Sequence, residues 1–209
     1  MLIISPSFTI EEELNGEQIL KKIERAGRTC YKSEDRIGPD TAHAFVKRVV
    51  ESAHESVLEH EKITVRFICD RGVSHELVRH RIASFSQEST RYCNYSKEKY
   101  GSEITVIKPC FWQEGSPAWE RWRQGCEAAE QAYFDLLKLG ASPEQARAVL
   151  PNSVKTEIVV TANLREWRHI LRLRISPSAH PQIRELMIPL LKELQQRISV
   201  VFDDIKVNE

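Results

Sequence analysis

Residues 63–91, ITVRFICDRGVSHELVRHRIASFSQESTR, contain the patterns of a strand, a short helix and a polar loop in direct succession. Apolar side chains alternate from Ile63 to Cys69, and this period of two predicts a strand that closes at Arg71-Gly72. Ser74 is placed to cap a short helix that holds Glu76 to His80. Residues 82–95 are rich in Ser and Thr and show neither apolar period, which predicts a loop held by hydrogen bonds.

Further helices and strands are predicted on both sides of this segment from apolar spacing and from capping residues. Two helices are predicted at 17–27 and 41–53, and a long one from Ser116-Pro117 to Gly140. Two more begin at Ser142 and at Asn163, and a last helix follows Pro181. Pro189 should kink this last helix. The predicted strands are a weak one at 104–107 and a clear one at 155–162. Strands separated by unequal helical blocks favour a single α+β domain over residues 1–209.

The composition excludes several classes of protein. The chain has 209 residues, is 41% hydrophobic and has a formal net charge of zero, so disorder and general polyanion binding are disfavoured. No apolar run approaches the length of a membrane span, and the first residues do not resemble a signal peptide. Five widely spaced cysteines, an odd number without a C-x-x-C pair, indicate reduced thiols in a cytoplasm rather than a disulfide framework.

Arginine is concentrated in parts of this neutral chain. Arg79 and Arg81 lead into the hydroxyl-rich segment that ends at Arg91, and Arg147 follows. Residues 163–175 hold four arginines against one glutamate, a local charge of +3. Guanidinium groups bind phosphate through paired hydrogen bonds, so this pattern predicts a small phosphorylated ligand. For Arg168 and Arg172 an ordinary ion-paired helix face is an equally good interpretation.

Familiar catalytic motifs are absent or imperfect. His75 and His80 resemble the metal-binding H-E-x-x-H motif, but they lie five residues apart instead of four and would diverge around a helix, so no metal site is predicted. The chain has no G-x-S-x-G, GxxxxGK[ST] or GxGxxG motif. Two alternatives remain open: a non-catalytic phosphate or single-stranded nucleic-acid binder that stacks bases on Tyr92, Tyr95 and Tyr100, and a cysteine-dependent enzyme built on Cys93 and His80.

Arg79-His80-Arg81 followed after seven residues by Ser89 resembles the RHR-x7-S signature of flavin-dependent thymidylate synthases. Further landmarks of that family occur in the same order and spacing, over about residues 45–185, and such an ordered set is more specific than a single motif. They are His54-Glu55, Glu59-His60, Arg91-Tyr92, Ala146-Arg147, Leu150-Pro151, Asn163, Arg165, Leu173-Arg174 and His180.

This resemblance implies an enzyme that converts deoxyuridylate (dUMP) to thymidylate (dTMP). The methylene group would come from 5,10-methylenetetrahydrofolate and the reducing equivalents from NADPH through FAD, with no enzyme nucleophile on the uracil. The implied fold is α+β, with a mixed or antiparallel sheet on which helices pack. The implied assembly is a homotetramer with FAD and the active site at subunit junctions.

The resemblance also assigns residues to ligands. Arg174 would bind the uracil and favour ionisation at N3, while Ser89 would position the substrate; these two are the catalytic residues. FAD would contact Ser56, Glu59, Arg79, His80, Arg81, Gln87, Asn163, Leu164, Arg165 and His169. Deoxyuridylate would contact Glu76, Leu77, Val78, Arg79, Gln87, Glu88, Ser89, Thr90, Arg91, Arg147 and Arg174. The chain departs from the usual family pattern at Ser86-Gln87, at Glu76 and at His169.

Overall fold

A computed structural model describes residues 1–93, 95 and 103–207. The strands are β1 (Leu2–Ile4), β2 (Ser7–Ile10), β3 (Lys62–Asp70), β4 (Ala83–Gln87), β5 (Thr105–Ile107) and β6 (Lys155–Asn163). The helices are α1 (Gly16–Thr29), α2 (Thr41–Glu51), α3 (Arg71–Leu77), α4 (Pro117–Lys138), α5 (Pro143–Ala146), α6 (Leu164–Arg174) and α7 (Pro181–Arg197). Short 3-10 helices lie at Glu34–Arg36, Glu55–His60 and Arg147–Val149. No helix in these described ranges has the length and apolar character needed to span a membrane.

The strands form two sheets. β1 and β5 pair in parallel, with Leu2 opposite Thr105 and Ile4 opposite Ile107. The larger sheet has four strands in the order β2-β3-β6-β4. Helices and sheets thus occur together in unequal blocks, which confirms the predicted α+β class.

The chain divides into two compact units, each assembled from separate segments. The first unit contains Met1–Ser7, Phe67–Arg79 and Phe85–Val159, and the second contains Phe8–Arg66, His80–Ser84 and Val160–Glu209. The single domain expected over residues 1–209 remains a prediction.

The core of the first unit forms where α4 buries one face. Cys126 and Tyr133 pack with Ile104, Val106 and Val154. The spacing of seven residues between Cys126 and Tyr133 places both on the same side of the helix. The α4 boundary follows from Ser116, whose side chain caps the helix by accepting the Trp119 backbone N–H.

The core of the second unit joins α6 to its neighbours. Trp167, on the buried face of α6, donates its indole N–H to the Ile63 carbonyl at 2.9 Å. Asn163 caps α6 as predicted, accepting the Glu166 backbone N–H at 2.8 Å. The apolar face predicted for α7, from Ile183 to Leu194, is buried along its whole length. The helix continues through Pro189.

Two local predictions were wrong. Asp70, not Ser74, caps α3: its carboxylate accepts the Val73 N–H at 2.7 Å, so the helix begins four residues earlier than a Ser74 cap requires. Residues 83–87 form β4 rather than loop. Phe85 and Gln87 are half-buried while the serines between and before them are exposed. Pairing with β6 supplies backbone hydrogen bonds that compensate for the weak apolar period.

Candidate active site

The first unit contains a half-buried arginine whose hydrogen-bond partner is a neutral hydroxyl. The Nη1 atom of Arg147 donates to Oγ1 of the buried Thr90 at 3.1 Å. Among the described residues no carboxylate pairs with Arg147. A guanidinium without a nearby negative charge retains its affinity for an anion.

Ser89 and Arg91 lie in a turn next to Thr90. The Ser89 carbonyl accepts the backbone N–H groups of Tyr92 and Cys93, and its hydroxyl accepts the Arg91 N–H at 3.3 Å. The Arg91 side chain pairs with Glu144 at 3.0 Å, and both are half exposed. Because an exposed ion pair is worth little, an incoming phosphate can compete with Glu144 for Arg91.

Gln87 and Glu88 are held by residues that sequence reasoning missed. Gln87 Nε2 donates to Ser74 Oγ at 2.9 Å and to Thr156 Oγ1 at 3.1 Å. Glu88 accepts from Lys155 Nζ at 2.8 Å. The amide nitrogen of Gln87 is thus used within the protein. No sequence signal connects Lys155 or Thr156 with this segment, because about 70 residues separate them.

The residues assigned to α3 and its end differ in exposure. Leu77 is 1% exposed, so its side chain belongs to the core and only its backbone can reach a ligand. Val78 and Arg79 are exposed, and Glu76 is half-buried. Leu164 in the second unit is likewise fully buried.

A cavity of about 420 Å³ in the second unit brings together four residues that the resemblance assigns to FAD. They are Glu59, Asn163, Arg165 and His169. The remaining lining residues are Glu55, Ile82, Glu166 and Arg172. Ser56 and Arg81, also assigned to FAD, are exposed residues of the same unit.

The arginines of α6 are more fully paired than their local charge suggests. Arg165 pairs with Glu59, and Arg172 pairs with Asp204 at 2.9 Å. Arg168 is completely buried and binds Asp204 through two nitrogens, at 2.7 and 2.8 Å. The interpretation of Arg168 and Arg172 as ion-paired residues is therefore the one that the geometry supports. An anion in the cavity must compete with these carboxylates.

His80 lies buried in the second unit between charged neighbours. Arg174 Nε donates to His80 Nε2 at 3.0 Å, and Glu166 Oε1 lies 3.7 Å from His80 Nδ1. The His169 ring packs edge-on, with ring centroids 5.8 Å apart. Burial, with Arg174 and His169 as further causes, lowers the pKa of His80 to about 4, whereas burial raises the pKa of Glu166. His80 is therefore a neutral imidazole at physiological pH.

The depressed pKa of His80 predicts a pH dependence of stability. Between pH 6.5 and about 4 the unfolded chain binds a proton at His80 that the folded protein excludes, so the free energy of unfolding falls as the pH is lowered through this window. The contribution is at most about 1.4 kcal/mol per pH unit. We expect His80→Gln to flatten this dependence in urea unfolding measured from pH 7 to pH 4.

The readout is the difference between the two proteins, because the raised pKa of Glu166 acts with opposite sign in part of the same range. Parallel curves for wild type and His80→Gln would contradict the buried neutral imidazole.

His80, Glu166 and His169 are also the one group of three in the described part of the chain with ligand atoms close enough to consider a metal ion. His80 Nε2 accepts a hydrogen bond from Arg174, so a metal at this atom would have to displace a guanidinium. The group does not favour a cation. The absence of a metal remains a prediction.

A larger cavity, of about 720 Å³, lies elsewhere in the second unit beside the start of α1. Lysines, an arginine and glutamates line it, but none of the residues assigned to a ligand from the sequence does so. Size alone therefore does not locate the predicted site.

The two alternative interpretations fit the geometry less well. Tyr95 is buried, so it offers no stacking surface; Tyr92 is exposed, and Tyr100 lies outside the described residues. His80 is a poor base for Cys93, because its Nε2 lone pair already accepts from Arg174 and its pKa is about 4.

The fold and these residues define an α+β protein with an arginine that donates to a threonine hydroxyl in one unit and a neutral histidine paired with an arginine in the other. A family model described as thymidylate synthase complementing protein, Thy1, matches residues 15–198. The chain belongs to this family.

Several proteins are similar to this chain over most of its length. A flavin-dependent thymidylate synthase of Corynebacterium glutamicum is 34% identical over 229 residues, which cover 99% of this chain and 89% of the relative. One from Pyrococcus abyssi is 37% identical over 79% of this chain and 67% of the relative. The crystal structure of the UMP/dUMP methylase PolB from Streptomyces cacaoi, bound with 5-Br dUMP, aligns with a TM-score of 0.77 over 97% of this chain and 96% of that one. At 22% identity this last match supports the fold alone.

Proposed function

We propose that this protein is a flavin-dependent thymidylate synthase that methylates deoxyuridylate to thymidylate. The carbon donor is 5,10-methylenetetrahydrofolate, and NADPH is the reductant. The observation that carries the proposal is the cavity in which Glu59, Asn163, Arg165 and His169 meet, since the resemblance assigns all four to FAD. The relatives from Corynebacterium and Pyrococcus support the same reaction.

The cavity residues fit a flavin dinucleotide in their chemistry. Arg165 is exposed and its ion-pair partner among the described residues is the exposed Glu59, so its guanidinium is available to a pyrophosphate. Asn163, Glu59 and His169 offer donors and acceptors suited to hydroxyl groups and ring nitrogens. When bound, FAD supplies the hydride chemistry, and the protein supplies orientation.

The nucleotide phosphate is assigned to the first unit. Arg147 lacks a carboxylate partner among the described residues, and Ser89 and Arg91 lie in the turn beside its partner Thr90. A phosphate dianion accepts charge-assisted hydrogen bonds from groups of this kind, here two guanidinium ions and a hydroxyl. Ser89 positions the substrate and is not a nucleophile.

Arg174 is assigned to the pyrimidine. Neutral uracil is a weak nucleophile at C5, and a guanidinium beside N3 and its neighbouring carbonyl oxygen stabilises the ionised base. Preorganised charge of this kind is typically worth about 3–4 kcal/mol. It activates C5 without a covalent bond to the protein.

The proposal includes a homotetramer in the cytoplasm, with each flavin at a junction between subunits. Ser56 and Arg81, both assigned to FAD, are exposed in the second unit, as are the large apolar side chains of Ile82 and Leu173. Contact with another copy would bury these apolar groups.

Flavin binding and assembly test the proposal in one experiment. The protein is incubated with FAD and passed through gel filtration while the visible spectrum is recorded. We expect flavin to co-elute with a particle near four chains in size, with a spectrum that changes on addition of deoxyuridylate. Thymidylate formation with methylenetetrahydrofolate and NADPH should follow. A colourless protein that forms no thymidylate would refute the assignment.

A further inference from the structure

The guanidinium of Arg174 is held by a side chain that lies 94 residues earlier in the sequence. Its Nε–H donates to Nε2 of His80 at 3.0 Å. His80 is 5% exposed, so this acceptor cannot swing into solvent. The half-buried Arg174 side chain is thus fixed through Nε, the guanidinium nitrogen that is bonded to the methylene groups of the side chain.

The hydrogen bond requires one particular form of the imidazole. Nε2 can accept only when it carries no proton, which places the hydrogen of neutral His80 on Nδ1. Nδ1 faces the carboxylate of Glu166 at 3.7 Å, which favours that tautomer. Arg174, Glu166 and His169 are the charged or titratable groups that face His80 among the described residues.

Fixing Nε determines how Arg174 meets a ligand. A guanidinium is planar, so with Nε–H directed at His80 the orientation of the plane is set. A ligand then approaches through the two Nη nitrogens, which form a fork that matches two acceptors side by side. The ionised N3 of uracil and an adjacent carbonyl oxygen are such a pair.

We propose that His80 is a positioning residue for Arg174, and that its Nε2 acceptor orients the guanidinium fork toward the edge of a uracil base. The inference rests on the proposed function, in which Arg174 binds the pyrimidine, and adds a role for His80 that does not involve the flavin. A protonated His80 could not fulfil it, because Nε2–H would face the donor N–H of a second cation.

Two substitutions of similar polarity separate this role from a structural one. In His80→Gln the side-chain amide extends to about the place of Nε2 and retains an acceptor for Arg174. In His80→Asn the amide ends near the place of Nδ1 and cannot reach it. His43→Leu, at an exposed histidine of α2, controls for general effects of losing a histidine.

The binding probes are deoxyuridylate and 2-deoxyribose 5-phosphate, which has the phosphate and sugar but no base. Binding is measured by calorimetry on flavin-loaded proteins matched for flavin content. We expect His80→Asn to weaken the binding of deoxyuridylate about tenfold, which corresponds to the loss of one hydrogen bond to a charged group. His80→Gln should stay within about threefold of wild type, and the affinity for deoxyribose phosphate should not change in either variant.

The results test the positioning role of His80 and the proposed function separately. Equal deoxyuridylate affinity in His80→Asn and His80→Gln, or a parallel loss of deoxyribose phosphate binding, overturns the positioning role. Failure of the wild type to bind deoxyuridylate overturns the proposed function itself. If His80→Asn does not fold, His80→Leu replaces it in the experiment. Leucine fills a similar space without a hydrogen-bond acceptor, so we expect the same loss of deoxyuridylate affinity.

Discussion

Replacing Arg174 with leucine is expected to lower the rate of thymidylate formation about 10²–10³-fold while the protein keeps its fold and its flavin. Arg174 ends α6, and its guanidinium is fixed by His80. The substitution removes the positive charge that stabilises the ionised uracil in the transition state. Since that charge matters most when the base is ionised, the loss should fall on kcat more than on KM.

Two further variants complete this experiment. Arg174→Lys keeps a positive charge but loses the fork and the Nε donor, so its activity should remain well below that of wild type. Arg197→Leu removes an exposed arginine of α7 that pairs with Glu193, and its rate should equal that of wild type. A rate for Arg174→Leu within about threefold of wild type would remove Arg174 from the catalytic group, since one hydrogen bond to a charged group is typically worth about 1.5–3 kcal/mol.

Replacing Arg168 with methionine is expected to lower the free energy of unfolding by about 3 kcal/mol. Arg168 is fully buried, binds both oxygens of Asp204, donates to Glu55 and contacts the Val201 carbonyl. Methionine retains most of the apolar contact but removes the hydrogen bonds to these acceptors, of which Asp204 and Glu55 keep Arg172 as a partner. The expected loss lies at the lower end of the range for breaking a buried ion pair, because the Asp204 side chain is 43% exposed and can be hydrated.

Arg172→Met is the matched control for this prediction. Arg172 lies one turn further along α6 and pairs with the same Asp204, but its side chain is 45% exposed. Its removal should cost less than about 1 kcal/mol. Urea unfolding with unchanged m-values measures both effects. Equal losses in the two variants would show that burial of Arg168 contributes nothing beyond an exposed ion pair.

The local elements were the most predictable part of the fold. Asn163 and Ser142 carry their own capping signals, because the donors that they satisfy lie three residues away in the sequence. The wrong cap predicted for α3 also reflects a local signal, because Asp70 and Ser74 are both good caps. The choice of Asp70 depends on where β3 ends. β4 was missed because its exposed serines hide a period of two that pairing with β6 enforces.

The candidate site was only partly predictable. A count of charges indicated a cationic segment in residues 163–175, but not that Asp204 and Glu55 neutralise Arg168 and Arg172. The sequence likewise carried no signal that Lys155 holds Glu88 or that Thr156 holds Gln87. Ion pairs and side-chain hydrogen bonds between distant residues produce no periodic pattern in the sequence.

The sequence by itself determined the fold class, most helix and strand positions, and the family, because periodicity, caps and an ordered set of motifs are properties of neighbouring or regularly spaced residues. The tertiary structure alone decided that Arg168 and Arg172 are ion-paired with Asp204, whereas Arg147 has no carboxylate partner among the described residues. It also brought His80 to Arg174 across 94 residues and made the imidazole a neutral acceptor. These outcomes depend on burial and on distances between atoms of remote segments, and both exist only once the chain has folded.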